Sequence, residues 1–199
     1  MLTKDELLEP LARARTDEVV VTCMGITRPW GRISDHDLDF ASADSAMGHT
    51  ADLALGIALA QPERRVICLN GDGSMLMTLG TLVTIVEADA RNLVLFVLEN
   101  GAYEITGNQP VPGASDVDFP GLARAAGFPR VYDLAFPRDF EAVLPNILHS
   151  EGPVFVGVQM ERGSEGPISR SEREEARYLQ TSLAEWSRVF RKAILSPTS

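Results

Sequence analysis

The 199-residue sequence predicts a doubly wound α/β fold: a mostly parallel sheet flanked by helices on both faces. Three observations point there. Short continuous apolar runs bounded by turn residues read as buried strands. Segments with helical spacing of apolar residues alternate with them, which implies parallel pairing through crossover connections. One strand-to-helix corner is rich in glycine, and such corners are where α/β proteins hold phosphate groups.

The expected strands are EVVVTC (18–23), RVICL (65–69), LVLFVL (93–98), RVYDL (130–134) and PVFVGVQ (153–159). HTADLALGIALAQ (49–61) repeats small and apolar residues at helical spacing. SMLMTLGTLVTIVEADA (74–90) places Leu79, Leu82, Val83 and Val86 on one face of a helix. FPGLARAAG and RDFEAVLPNILHS are shorter helical segments, the second made irregular by Pro145. The tail over 171–195 reads as a long charged helix with Leu183, Trp186, Phe190 and Ile194 along one side. That stripe fits packing on the chain's own core or contact with another subunit, and the pattern does not choose.

Composition narrows the function classes. With 45% hydrophobic and 23% charged residues the chain is an ordinary globular one, expected to form one domain over 1–199 with its core at about 18–160. A net charge of −10 argues against a nucleic-acid partner, since phosphate backbones need concentrated Lys and Arg. Cys23 and Cys68 fall in apolar runs and read as buried reduced thiols. MLTKDELLEPLARAR has no apolar stretch of the secretory kind, and no run approaches membrane-spanning length. A cytoplasmic protein with no membrane partner is therefore expected.

The corner is NGDGSMLMTLG (70–80). Gly-Asp-Gly alone is ordinary turn chemistry, but a strand precedes it and a helix follows. Asp72 stands just past the second strand. Asn100, in LENGAYE, stands just past the third. One crossover joins these strands, so both side chains should share one sheet edge. A carboxylate and an amide oxygen are hard ligands suited to Mg²⁺ with backbone carbonyl and phosphate oxygens. Gly71 and Gly73 let the backbone approach a ligand closely. Ser74 should open the helix, its hydroxyl and the free N–H groups facing an anion. The corner reads as a Mg²⁺-diphosphate site. A nucleotide- or phosphate-binding module without carbon chemistry remains the alternative.

Gly-Asp-Gly-Ser, a crossover helix, an apolar strand and then Asn-Gly-x-Tyr resembles the thiamine-diphosphate-binding domain of the 2-oxoacid decarboxylase group. MGHTADLALGIAL and ENGAYEITGNQP are most similar to the small-subunit type, the sulfopyruvate decarboxylase β subunits and the carboxyl-terminal half of phosphonopyruvate decarboxylases. The likeness covers about residues 18–160. It implies thiamine diphosphate and Mg²⁺ as cofactors. Asp72 and Asn100 would be metal ligands by side chain and Ala102 by its backbone oxygen. Ser74 and the backbone near Ile105 would meet the diphosphate; Tyr103 and Glu104, which follow the metal loop, are candidates to line the site, with packing the plainer reading for Tyr103. In this group a bulky apolar residue before a glycine props the cofactor into a bent V, and Met47 before Gly48 holds that place. His49, next along, is the candidate catalytic proton donor, with a helix-capping histidine equally in keeping with its position. Arg28 is a candidate for a substrate's anionic tail, against the plainer reading of a surface arginine. His36 is expected to be solvated, and His149 to end a helix.

The resemblance further implies a split enzyme. The glutamate that activates the cofactor would sit on a separate pyrimidine-binding subunit of similar size, and the substrate would be a small anionic 2-oxoacid. A half-subunit of an acetolactate-synthase-like, oxidoreductase or transketolase-like enzyme is the alternative, and the lack of a CxxC cluster motif weakens its ferredoxin version. Three features depart from the group: Glu99 stands where many relatives have Asn, residues 24–40 match poorly, and the tail is long.

Overall fold

The fold is that of a computed structural model, which describes residues 1–41, 47–114 and 116–196. Eight strands are present among them: β1 (Val19–Thr22), β2 (Asp39–Ala41), β3 (Val66–Gly71), β4 (Leu93–Glu99), β5 (Ala102–Tyr103), β6 (Gln109–Pro110), β7 (Arg130–Leu134) and β8 (Val154–Gln159). Six of them form one sheet in the order β2-β1-β3-β4-β8-β7, every pair parallel. β5 and β6 make a small antiparallel hairpin beyond the edge.

The helices are α1 (Lys4–Ala14), α2 (Met24–Ile33), α3 (Thr50–Ala60), α4 (Asp72–Met77), α5 (Thr81–Glu87), α6 (Phe119–Ala126), α7 (Pro137–His149) and α8 (Leu183–Ile194). Strand residues alternate between two apolar layers. Val20, Ile67, Val94 and Val156 point to one layer with α1, α2 and α7. Val21, Cys68, Leu95 and Phe155 point to the other with α3, α5 and α6. The doubly wound architecture is as the alternation of apolar runs predicts, and both cysteines are free and buried.

Several boundaries differ from expectation. The helix predicted over 74–90 begins at Asp72 and is two helices, interrupted at Thr78 to Gly80. The interruption brings the Thr78 hydroxyl onto the Gly48 carbonyl at 2.6 Å. It also leaves Val83 exposed, off the face assigned to it. The tail is helical only from Leu183, after a 3₁₀ turn at Arg177–Leu179. Its start is a capping box: Ser182 accepts from the Glu185 N–H while the Glu185 carboxylate accepts from the Ser182 N–H. The segment before it is irregular and turns at Ser171, with its charges paired to α2, Arg28 with Glu174 at 2.7 Å and Arg32 with Glu165 at 2.7 Å. His36 is half buried, its Nδ1 accepting the Leu38 N–H. His149 closes α7 as expected.

Several elements lie where the pattern pointed to none: α1, α2, β2 and the β5–β6 hairpin. α1 is an amphipathic helix capped by Thr3. β2 is three residues long, too short to show a period of its own. Its outer side is covered by α8. The Trp186 indole N–H donates to the Asp39 carbonyl at 2.8 Å, and Phe190 packs edge-on against Phe40 with centroids 5.0 Å apart. The tail stripe therefore packs on the chain's own sheet. Replacing Trp186, 2% exposed and set against Tyr178, by alanine should cost about 3–5 kcal/mol of stability. Urea unfolding checks this, and an unchanged midpoint would contradict the docking of the tail.

Candidate active site at the carboxyl edge of the sheet

Strand order locates the cleft. The connection from β1 leaves toward β2, and the connection from β3 leaves toward β4. Adjacent strands whose chains part in opposite directions leave a crevice at their carboxyl ends, where ligands bind in open α/β sheets. An open cleft of about 730 Å³, counting the solvent at its mouth, lies there.

Three segments bring the predicted residues into it. Gly71, Asp72, Gly73 and Ser74 come from the β3 corner, Asn100, Ala102, Tyr103 and Ile105 from the β4 loop, and Met47 and Gly48 from the approach to α3. The β1 end adds Cys23, Gly25 and Ile26. β3 and β4 are paired with Gly71 opposite Leu98, so Asp72 and Asn100 emerge side by side. Asp72 stitches the two loops together. One of its oxygens accepts the Gly73 N–H and the other accepts the Gly101 N–H across the strand ends, both at 2.7 Å. Gly101 meets it with φ +68°, a left-handed backbone that favours glycine.

Electrostatics leave Asp72 short of positive charge. Burial pushes its carboxyl up from the ordinary range, against the lowering effect of the two N–H donors. Glu99, one residue before Asn100, is pushed up to about 7 by burial and by Asp133, Asp72 and Asp118, although Gln159 donates to it at 2.8 Å. Asn100 Oδ1 accepts the Ala102 N–H at 3.0 Å, which folds the loop back on itself.

Steric fit is tight at two glycines. A Cβ on Gly73 would lie 2.4 Å from Tyr103 Cε1. Gly48 has φ +90°, and a Cβ there would lie 2.8 Å from Met77 Cβ. Gly48 and Thr78 together present Met47, 49% exposed, at the cleft.

Residues 34–158 match the family model described as thiamine pyrophosphate enzyme, C-terminal TPP binding domain. The chain belongs to that family. Of the functions the corner left open, membership selects thiamine pyrophosphate binding. This TPP-binding domain is 34% identical over 188 residues to a phosphonopyruvate decarboxylase of Streptomyces viridochromogenes, covering 94% of the chain and 45% of that protein. It is 36% identical over 165 residues to the sulfopyruvate decarboxylase subunit beta of Methanothermobacter thermautotrophicus, covering 82% of the chain and 85% of the relative. It thus spans less than half of the first relative and most of the second. The fold is also that of the thiamine diphosphate-dependent 4-hydroxybenzoylformate decarboxylase of Rhodococcus jostii RHA1, with a TM-score of 0.66 at 23% identity over 82% of this chain and 33% of that one.

The TPP-binding domain's own atoms fit such a cofactor. The Ser74 hydroxyl is buried and has no hydrogen-bond partner among the described residues. A buried hydroxyl wants one, and a diphosphate oxygen is a suitable acceptor. The donor set for a cation, one carboxylate with amide and carbonyl oxygens, is of the hard type that Mg²⁺ takes.

Two candidates sit elsewhere. His49 does not line the cleft. It stands before α3 at the rim, half exposed, with Nδ1 2.5 Å from Asp52 Oδ2, and Asp52 also accepts from the Thr81 hydroxyl. Arg28 is committed to Glu174 and to the carbonyls of Gly166 and Pro167, so it is a structural tie and not a group awaiting an anion. The sequence pattern missed the buried Lys4–Glu104 pair beneath the β4 loop. Its partners lie 100 residues apart, and no local signal joins them.

Gly73→Ala should destabilise the protein by about 1–3 kcal/mol through overpacking, and Tyr103→Leu should recover most of the loss in the same chain. Thermal unfolding of the single and double variants checks this. A neutral Gly73→Ala would show that the tyrosine ring does not occupy that space.

Proposed function

We propose that this chain is the diphosphate-binding subunit of a split thiamine-diphosphate-dependent 2-oxoacid decarboxylase. Its substrates would be small 2-oxoacids with a second anionic group, of the sulfopyruvate or phosphonopyruvate kind. The observation that carries this reading is the match along most of a relative named as a beta subunit, by a chain whose cleft gathers the corner, the Asn-Gly loop and Met47. In this reading residues 1–199 act as one binding unit in the cytoplasm, and a separate pyrimidine-binding subunit of similar size brings the activating glutamate.

Each residue has a part. Asp72, Asn100 and the Ala102 carbonyl hold Mg²⁺. Ser74 and the backbone near Ile105 hold the diphosphate, with Gly71 and Gly73 keeping that wall free of side chains. Tyr103 closes the wall against Gly73. Met47, presented by Gly48, supports the cofactor from the side, and the partner's surface would cover its exposed half. Thiamine diphosphate, when bound, supplies the electron sink for loss of CO₂. His49, oriented by Asp52 at the rim, is the proton-handling group. Arg162 is the group for the anionic tail. It makes no ion pair among the described residues, and its Nη2 would lie 3.7 Å from a Cβ at Gly101, beside the metal loop.

Calorimetry tests the metal. Asp72→Ala removes the one charged ligand, so thiamine diphosphate affinity should fall by orders of magnitude while the fold survives. Equal affinity in the variant and wild type would overturn the assignment.

Turnover tests the rest. The chain alone, given thiamine diphosphate and Mg²⁺, should release no CO₂, and the chain with its co-purified partner should. Arg162→Met in that pair should raise KM for sulfopyruvate or phosphonopyruvate about tenfold or more, and change turnover of plain pyruvate by no more than about twofold. Activity of the lone chain would overturn the split. Faster turnover of pyruvate than of both anionic substrates would overturn the substrate class.

A further inference from the structure

Asn100 has a problem that Asp72 does not. An amide presents an oxygen on one side and an NH₂ on the other, nearly equal in shape, and only the oxygen can ligate a cation. Something must fix which way it faces.

Glu104 stands on its nitrogen side. Asn100 Nδ2 lies 3.4 Å from Glu104 Oε2. The Glu104 side chain is 3% exposed and held from several directions. Lys4 Nζ donates to both its oxygens, at 2.7 and 2.9 Å, and also to the Gly25 carbonyl at 3.1 Å. The Glu165 N–H donates to Oε1 at 2.7 Å. A Cβ on Gly163 would lie 2.2 Å from that same oxygen, so the backbone closes over the carboxylate. The group can neither turn away nor donate, and a carboxylate accepts only. It therefore draws the NH₂ of Asn100 toward itself and away from the cleft.

We propose that Glu104, backed by Lys4, is a positioning residue that sets the orientation of the Asn100 amide, so that the oxygen and not the nitrogen is offered to the cation. The Ala102 N–H supports the same orientation locally, from the loop that the amide itself folds. Glu104 adds a fixed reference outside that loop, tied to α1, to the start of α2 and to the chain beyond β8. This inference rests on the metal assignment above.

The test uses a charge-neutral change, because removing Glu104 alone would leave Lys4 beside the cation site. Lys4→Met with Glu104→Gln keeps the net charge, and glutamine can donate as well as accept, so the preference is lost. The same pair of changes is then made in a chain that also carries Asn100→Asp. A carboxylate has two equivalent oxygens and no wrong face. Calorimetric titration of thiamine diphosphate into the full chain at stepped Mg²⁺ concentrations reads the Mg²⁺ half-saturation of cofactor binding. With Asn100 in place the half-saturation should rise about tenfold. In the Asn100→Asp background it should change by less than about twofold. If the double variant does not fold, Glu104→Asp, which keeps the charge and withdraws it by one methylene, replaces it in the same comparison.

An equal rise in both backgrounds would make the pair a scaffold only and overturn the proposal. No rise with Asn100 in place would overturn it as well. Asn100→Ala with unaltered Mg²⁺ dependence would instead bring down the metal assignment, and this inference with it.

Discussion

The carboxylate of Asp72, accepting the N–H of Gly101 across the ends of two parallel strands, is the contact on which the cleft depends. It exists because β3 and β4 are hydrogen-bonded neighbours and because one crossover, broken at Thr78, returns the chain at the right height. Strand pairing up to Gly71 and Leu98 already sets the β3 corner beside the β4 loop, and this bond carries the connection one step further, past the strand ends. With it they form one wall, and every other feature of the cleft is placed relative to that wall. Gly73 admits the Tyr103 ring, and the Asn100 loop folds back through Ala102. The bond also has a cost. The carboxylate is buried, two N–H dipoles compensate it only in part, and its proton affinity is raised accordingly. A group left in that condition is best satisfied by a cation, which neighbouring amide and carbonyl oxygens can share.

Below the wall lies a second layer of support assembled from the two ends of the chain. Lys4, from α1, meets Glu104 under the β4 loop, and the extended segment after β8 passes over the same carboxylate through Gly163 and Glu165. That segment is fastened again further along by Arg28 and Arg32 on α2. Helix α2 itself begins at the β1 end of the cleft. Ion pairs and hydrogen bonds together thus form a ring from α1 through the β4 loop and the tail to α2 and back. Buried pairs of this sort contribute little net stability, since desolvation offsets attraction. Their effect here is geometric, because they hold loops at fixed distances from one another.

Most of the fold was legible because its strands are continuous apolar runs and its connections are amphipathic. The five long strands and the helices α3, α6 and α7 follow from periodicity alone. β2 was not legible, since three residues carry no pattern. The split between α4 and α5 was not either, because Gly80 is only a weak local breaker and the Thr78 hydroxyl that the break presents finds its partner, the Gly48 carbonyl, 30 residues away. The tail misled in the opposite way. Its charges suit a helix, but Glu174 and Glu175 find arginines on α2, and the backbone over 171–176 turns to reach them. In the site, the residues carried by compact motifs were legible: Asp72 between its glycines, Asn100 in its loop, Met47 before Gly48. The Lys4–Glu104 pair was hidden by distance along the chain. His49 lies next to a cleft residue in sequence, yet Asp52 holds it on the rim.

The way α8 covers β2 bears on how this protein can be cut or extended. A parallel sheet has two open margins, and an open margin is a template for adding a strand from another molecule. Here one margin is sealed by Trp186 and Phe190, which arrive at the end of a stretch with little regular structure between Glu161 and Ala176. The seal is therefore joined to the rest of the molecule by the stretch that a single proteolytic nick would reach most easily. A shortened chain ending before Ser182 would keep the cleft-lining residues and be prone to stick to itself, through the bared Asp39–Ala41 strand. Trimming this end would bare the strand and at the same time take Trp186 and Phe190 out of the two apolar layers, so self-association and lost stability would arrive together.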